Sequence, residues 1–375
     1  MNRPELSAWL RLLLTPGVGQ VSAHQLLRAF GSPESLFERS RSDWTTVVSP
    51  SQANALSVEP DDLAALLDTT WNWLCESPET RQVLTIADPL YPKSLLNTEG
   101  PPLLLYASGM PEVWQDDLLN VSNARCLAIV GSRYPTPQGA SNARQFACAL
   151  AEAGVTVVSG MALGIDGAAH EGAMEGAAPG RLATIAVVGT GLDRVYPKQH
   201  RDLAHRITKQ GVILSEFALG TGPHAAHFPQ RNRIISGLSR GVLVVEAALQ
   251  SGSLITARLA ADQGREVYAI PGSIHSTQSR GCHALIKQGA KLVESAADIL
   301  EELEWESVGT SPDGSDEPPD SALLQALGFD TVGLDALQAR TGLPTPDLLA
   351  QLMTLELNGS VARLPGGLFQ RLAQA

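Results

Sequence analysis

Arg231 and Arg233 flank Asn232 in the segment FPQRNRIISGLSRGVLVVEAALQSGSLITA, residues 228–257, which holds the densest chemistry of the chain. Val242, Val244 and Val245 form a β-branched apolar run that predicts a buried strand ending at Glu246. Ser251, Gly252 and Ser253 then open a helix, LITARLAADQG. A strand that feeds a Ser/Gly turn and a helix start presents backbone N–H groups and the positive end of a helix dipole, which together hold anions. The nearby guanidinium groups add planar donor forks suited to phosphate. No acid, base or nucleophile set accompanies them, so the pattern predicts phosphate binding and no enzyme.

The other apolar runs end in the same manner. LAIVG leads to Gly131, Ser132 and Arg133; VTVVSG ends at Ser159 and Gly160; ATIAVVG ends at Gly189, Thr190 and Gly191. GVILSEF carries Ser215 and Glu216, and REVYAIPG ends at Pro271, Gly272 and Ser273. In an open parallel sheet, ligands bind outside the carboxyl ends of the strands. One glycine turn carries little weight, because tight turns favour glycine anyway; a set of small, anion-compatible strand ends predicts a shared site. Arg133, Lys198, Arg231, Arg233 and Arg240 are the cations that could line it, Lys198 because it follows Val195-Tyr196-Pro197 shortly after the third strand end. Tyr134, Tyr196 and Phe228 stand beside these charges, and aromatic faces interleaved with cations hold single-stranded nucleic acid without reading its sequence. Packing is the ordinary alternative for each ring.

Several chemistries are disfavoured. GTGLDR (189–194) lacks the third glycine of a dinucleotide fingerprint, GSRYPTPQG (131–139) has the wrong spacing, and no GxxxxGK[ST] phosphate loop occurs. His224 and His227 lack carboxylates at metal-ligand spacing, and the four cysteines (Cys75, Cys126, Cys148, Cys282) form no CxxC pair. Neither a metal nor a cofactor is expected. Asp166 and His170 lie one helical turn apart, where such a pair more often orients a helix start than performs chemistry.

The elements that must position these groups fall into four blocks. Residues 1–80 predict a helical domain, in which Gly17 and Gly19 make a tight turn before a helix with Ala23, Leu26, Leu27 and Phe30 at helical spacing. The pattern is that of a helix-hairpin-helix. With five basic residues against ten acidic in this block, packing within its own bundle is favoured over contact with DNA phosphate. Across 81–306, near-continuous apolar strands alternate with helical stretches such as NARQFACALAEAG, predicting a parallel sheet covered on both faces, with AKLVES (290–295) as a last strand. Residues 307–320 predict a flexible acidic linker. Residues 321–375 restart with three short helices and a strand–glycine turn–strand, a winged-helix-like unit. Leu348, Leu349, Leu352 and Leu355 give its third helix a packing face. Its only basic residues are Arg340, Arg363 and Arg371, so protein contact or regulation is favoured over reading DNA.

The net charge of −12 argues at first against a nucleic-acid partner, but it is unevenly spread. Lys and Arg number 19 against 15 Asp and Glu in residues 81–293, and 0 against 10 in residues 294–320. The central region is therefore positive, and the local field governs the partner. The N-terminal apolar run, broken by Arg11, is too short for a signal peptide, and no stretch approaches the roughly 20 apolar residues of a spanning helix. A reduced, cytoplasmic setting with no membrane contact is expected.

IVGSR (129–133), VVSGMALGIDGAAH (157–170), VVGTGLDRVYP (187–197), LSEF (214–217), FPQRNRIISGLSRGVLVVEA (228–247), SGSLITARLA (251–260), AIPGS (269–273) and GCHALIKQGAKLV (281–293) follow one another in a fixed order. Together they resemble the DprA/Smf family of DNA-processing proteins over roughly residues 80–300. The resemblance implies an α/β fold: an extended Rossmann-like parallel sheet that forms homodimers, with an N-terminal helical (helix-hairpin-helix or SAM-like) domain and a C-terminal winged-helix-like domain. It implies sequence-independent binding of single-stranded DNA, protection of incoming strands in natural transformation, and loading of RecA onto them for homologous recombination. Carried onto this sequence, its DNA-binding positions are Gly131, Ser132 and Arg133, then Gly160, Lys198 after the YP dipeptide, Arg231, Asn232 and Arg233, and the Ser251-Gly252-Ser253 turn. The acidic linker and weakly basic C-terminal unit are departures that put a direct DNA role for that unit in doubt.

Two other functions fit parts of the pattern. Nucleoside-monophosphate phosphoribohydrolases share the superfamily, but their PGGxGTxxE signature is missing where Glu246 to Ser253 occupy the comparable strand end. Glu246, beside the SGS turn, is the residue on which that alternative depends. An adaptor would instead use the winged-helix-like unit and a dimer surface to recruit partners.

Overall fold

The apolar runs of the central region pair into one sheet in the computed structural model, which describes residues 1–122, 125–305, 322–328, 331–364 and 366–372. Its strands are β1 (Arg81–Thr85), β2 (Leu104–Gly109), β3 (Cys126–Val130), β4 (Thr156–Ser159), β5 (Thr184–Val187), β6 (Gly211–Ser215), β7 (Gly241–Val244), β8 (Glu266–Ala269) and β9 (Lys291–Leu292). They lie in the order β1-β2-β6-β5-β4-β3-β7-β8-β9. Neighbours from β6 to β9 are parallel, whereas β2 runs antiparallel to both β1 and β6. The antiparallel pair β1–β2 was not among the expected strands; it lies ahead of the strand–helix alternation and runs against the strands that follow. From β3 the chain winds outward through β4, β5 and β6, then crosses back to β7. The strand order thus reverses between β3 and β7, leaving a crevice outside their carboxyl ends.

Successive side chains of a strand point to opposite faces, and the core divides accordingly. Leu127, Ile129, Val157 and Leu243 pack under the helices Pro137–Glu152 and Ile165–Gly176. Ala128, Val130, Val158, Val242 and Val244 pack under the helices His227–Leu238 and Ser253–Asp262 on the other face. The first two helices meet backbone to backbone: a Cβ at Gly172 would collide with the Arg144 carbonyl, and one at Gly176 with that of Cys148. Such contact leaves no room for larger side chains at those two positions.

The first block folds as helices, among them Arg3–Leu14, Gln20–Phe30, Pro50–Leu56 and Leu63–Glu76. Asn2 and Ser49 each begin a helix with a reciprocal capping box. The core of these helices is not theirs alone. Leu6, Leu10, Leu26, Trp44 and Leu56 share one apolar cluster with Val83 of β1, Leu104 and Tyr106 of β2, and Leu219. Trp73 meets Tyr106 edge-on, with ring centroids 6.1 Å apart.

The last block combines the helices Ala322–Leu327, Leu334–Thr341 and Thr345–Leu357 with β10 (Val332–Gly333), β11 (Val361–Leu364) and β12 (Leu368–Arg371), which form an antiparallel sheet in the order β10-β12-β11. Among the described residues its core, including Leu323, Leu337, Leu348, Leu352 and Phe369, draws only on its own block. Leu349 differs from expectation: it is 43% exposed, because it stands 100° around the helix from Leu348. The linker expected at 307–320 lies outside the described residues.

These two kinds of core predict opposite outcomes on truncation. A chain ending at residue 305 should keep its thermal midpoint and remain monodisperse. A chain starting at residue 81 uncovers Val83, Leu104, Tyr106 and Leu219 and should lose on the order of 5 kcal/mol, comparable with the whole stability of many domains. Size-exclusion chromatography and thermal melts monitored by circular dichroism check both. An undisturbed midpoint in the 81–375 chain would show that the shared cluster contributes nothing.

Candidate nucleic-acid interface

A cleft of about 820 Å³ opens at the crevice between β3 and β7. The turn Gly131-Ser132-Arg133 after β3 forms one wall. The helix His227–Leu238 supplies Phe228, Arg231 and Asn232, and the Ser251-Gly252-Ser253 turn at the start of Ser253–Asp262 closes the far side. Apart from Phe228, these are eight of the eleven DNA-binding positions expected from sequence. Gly160, Lys198 and Arg233 do not line the cleft.

Backbone pairing continues one step past the strand ends to fix the first wall. The Ser132 amide donates to the Glu246 carbonyl at 2.7 Å, and the Ser132 hydroxyl accepts from the Tyr134 amide at 3.1 Å. Gln278 Nε2 donates to the Tyr134 carbonyl at 3.1 Å, holding the turn from the rim. The Arg133 side chain is exposed, with its guanidinium carbon 5.6 Å from the centroid of the Phe228 ring. Tyr196 packs against the same ring at 5.6 Å. Tyr134 is 80% exposed and Tyr196 44%. Three aromatic faces and a cation therefore edge the cleft.

Arg231 forms the floor. Its Nη1 donates to the carbonyl of Val187 at the end of β5, and its Nη2 lies 4.0 Å from Asp166 Oδ2. The guanidinium fits only because Gly160 has no side chain; a Cβ there would collide with it. Gly160 thus contributes as a support beneath Arg231. Burial lowers the Arg231 pKa to about 10, so the group stays charged at neutral pH. Burial raises that of Asp166, against the opposing pull of Arg231. Arg231 Nε has no hydrogen-bond partner among the described residues, which leaves one donor unspent. An unspent donor this well buried is costly unless a ligand or water meets it.

Arg231 and Arg233 cannot both face the cleft. On a helix, residues two apart point about 200° away from each other. Arg233 accordingly turns to the opposite side and pairs with Glu216, where the two side chains are 14% and 6% exposed. Gln20 Nε2 of the N-terminal helices donates to the same carboxylate at 3.1 Å. Between the two arginines, Asn232 Nδ2 reaches the Gly252 carbonyl at 3.5 Å and ties the helix to the serine turn. In that turn the Ser251 and Ser253 hydroxyls lie 2.7 Å apart.

The remaining expectations separate in the same way. Lys198 is exposed on the short turn Lys198–His200, just beyond Tyr196. Arg240 precedes β7 at the amino edge of the sheet, where its amide donates to the Cys126 carbonyl, far from the strand ends. Gly189 to Gly191 and Gly272 to Ser273 do not join the cleft lining, so only some strand ends converge. Glu246 is held away from the cleft: it accepts from the Thr136 amide at 2.9 Å and the Thr136 hydroxyl at 2.5 Å. Burial raises its pKa, opposed by those two bonds. Asp166 and His170 do not pair. Asp166 accepts from the Ala162 amide at 3.2 Å, and the fully buried His170 meets the Thr184 hydroxyl at 2.7 Å. Asp166, expected among the strand-end residues, lines the cleft, and Gln250 and Gln278 are cleft residues not picked out from sequence. Nothing local marks the two glutamines. Among the described residues no cluster of His, Cys, Asp and Glu is placed to hold a metal ion, and no helix is long and apolar enough to cross a membrane.

His170 gives the layer beneath the cleft a pH signature. Burial lowers its pKa from 6.5 to about 3. Below pH 6.5 the unfolded chain takes up a proton that the folded chain refuses, so stability falls with acid until about pH 3. His170→Gln, which keeps a hydrogen-bonding group toward Thr184, should flatten the dependence of the urea midpoint on pH by up to about 1.4 kcal/mol per pH unit in free energy. Identical slopes for both proteins would rule out a buried neutral imidazole.

Comparison with known proteins agrees with this geometry. The family model for DNA recombination-mediator protein A matches residues 82–304, and the model for the DprA winged helix domain matches residues 309–367. Protein Smf of Escherichia coli is 43% identical over 314 residues, 80% of each chain. DNA processing protein DprA of Streptococcus pneumoniae is 45% identical over 221 residues, 59% of this chain and 74% of that one. A crystal structure of the S. pneumoniae protein superposes with a TM-score of 0.66 and 35% identity, covering 82% of this chain and 99% of that one. DNA processing protein A of Helicobacter pylori, described for its unique single-stranded DNA binding mode, gives a TM-score of 0.52 at 29% identity over 61% of this chain and 99% of that one. The chain belongs to the DprA/Smf family of DNA recombination mediators, with a Rossmann-like central sheet and a C-terminal winged helix.

Proposed function

We propose that this protein binds single-stranded DNA in the β3–β7 cleft without regard to sequence, protects incoming strands during natural transformation and delivers them to RecA. The observation that carries this reading is the buried Arg231 guanidinium, one donor unspent, at the floor of a cleft edged by Arg133, the exposed rings of Tyr134 and Tyr196 and the half-buried ring of Phe228. Arg133 and the Ser251-Gly252-Ser253 turn suit phosphate, while Phe228, Tyr196 and Tyr134 offer faces on which any base can stack. Such contacts give affinity with little sequence information. The binding mode described for the H. pylori relative supports the same ligand here. Homodimerisation, delivery to RecA and a cytoplasmic location extend the reading along the family resemblance.

Binding without turnover fits the placement of the carboxylates. A phosphoribohydrolase needs a carboxylate positioned at the ribose to stabilise developing charge. Glu246 has both oxygens engaged by Thr136, and Asp166 lies against Arg231. Purified protein should therefore release no free base from nucleoside monophosphates. Release that Glu246→Gln abolished would overturn the reading.

Fluorescence anisotropy across a salt series tests the ligand directly. The parent should bind single strands more tightly than duplex, and indifference to both would remove the proposal. Arg133→Ala, at an exposed position, should keep the fold and lose on the order of 10- to 100-fold in single-strand affinity, as expected for a charge-assisted phosphate contact. Arg233→Ala should instead lower the thermal midpoint, because it strands the buried Glu216.

A further inference from the structure

The helix Arg201–Gln210 follows β5 and returns the chain to the parallel strand β6. It therefore starts at the carboxyl edge of the sheet, beside the cleft, and runs toward the amino edge. Leu203, Ala204 and Ile207 bury its inner face. On its outer side Arg201, His205 and Lys209 recur every fourth residue, and Lys198 stands just ahead of them in the turn Lys198–His200. Side chains four apart on a helix form one row, rising about 6 Å per step. All four are exposed, and among the described residues none makes an ion pair.

The acids nearby are occupied or sparse. On the adjoining helix Ile165–Gly176, Glu171 pairs with Arg206 at 2.8 Å and Glu175 pairs with Arg144. Asp202 is the single carboxylate of the helix Arg201–Gln210, and it stands to one side of the row. The exposed positions of this helix include no apolar residue, which leaves nothing for a lipid surface or a hydrophobic protein face to bury. The row begins two residues after Tyr196, whose ring lines the cleft.

We infer that Lys198, Arg201, His205 and Lys209 form a track for the sugar–phosphate backbone of the strand as it leaves the cleft past Tyr196. The inference rests on the cleft being a single-strand site. It extends that site down the flank of the sheet, with Arg201 and Lys209 supplying charge and His205 a nitrogen between them. The 6 Å step of the row, from helix geometry, is comparable with the separation of successive phosphates in an extended strand, so neighbouring side chains meet neighbouring phosphates.

The test compares oligothymidines of about 6 and about 30 nucleotides, within and beyond the span of a single small site. Arg201→Gln/Lys209→Gln should bind the long strand on the order of tenfold more weakly at low salt, with the slope of log affinity against log salt reduced by about 1.4, and should bind the short strand as the parent does. Arg39→Gln/Arg41→Gln, which removes the same charge from the N-terminal helices, should leave both unchanged. An unchanged slope for the long strand overturns the track, as does an equal loss for both lengths, which would place the effect in the cleft. An equal loss from the Arg39/Arg41 variant would reduce the effect to net charge and overturn it too. A parent that holds neither length sinks the single-strand reading itself.

Discussion

A guanidinium withdrawn from water must have its charge and its donors compensated, or it costs several kcal/mol. Arg231 is 5% exposed, and its compensation comes from three separate parts of the chain. The Val187 carbonyl ends β5, Gly160 follows β4, and Asp166 opens the next helix. Each must sit where it does for the side chain to be accommodated. The requirement holds the carboxyl ends of β4 and β5 side by side and lays the helix His227–Leu238 across them. Phe228 and Asn232 then have their positions on the cleft wall set by the same helix. The shape of the cleft and its local stability rest on one buried charge.

The same helix explains how a basic motif divides its labour. Arg231 enters the cleft floor, Asn232 fastens the serine turn, and Arg233 couples the helix to Glu216 and through it to Gln20. Three consecutive residues thus face the site, the next element and the N-terminal helices. The pair Arg233–Glu216 is buried enough that its worth lies in fixing one arrangement more than in raw stability. Glu246 follows a parallel logic. It ends a strand beside the site, yet its carboxylate anchors Thr136 at the start of the helix Pro137–Glu152.

The fold was largely readable because its signals are local. β-branched runs gave the parallel strands, and the glycine and serine positions after them gave the edge at which the cleft opens. What escaped notice needed three-dimensional information. The antiparallel strands β1 and β2 lie ahead of the strand–helix alternation, and the pairing of β2 with β6 spans over a hundred residues. Arg233 was expected at the site because its type and its motif both suited it; only the roughly 200° that two helical residues turn separates it from Arg231. Lys198 followed a strand end but lies outside the cleft, on the flank. Glu246 could not be judged from sequence, since the partner that occupies it is 110 residues away.

The shared core of the N-terminal helices bears on how the chain folds as it is made. Leu6, Leu26 and Trp44 are made well before Leu104, Tyr106 and Leu219, which belong to the same cluster. Strand β2 is itself paired on one side by β6, which ends at Ser215. The chain must leave the ribosome as far as Leu219 before these helices find their full complement of contacts. Until then their apolar faces stay partly open, a state that invites chaperone binding. The winged helix, which draws its core from residues 323–369, closes as soon as its own last strand appears. The helical block thus waits for residues made long after it, whereas the winged helix waits only for its own.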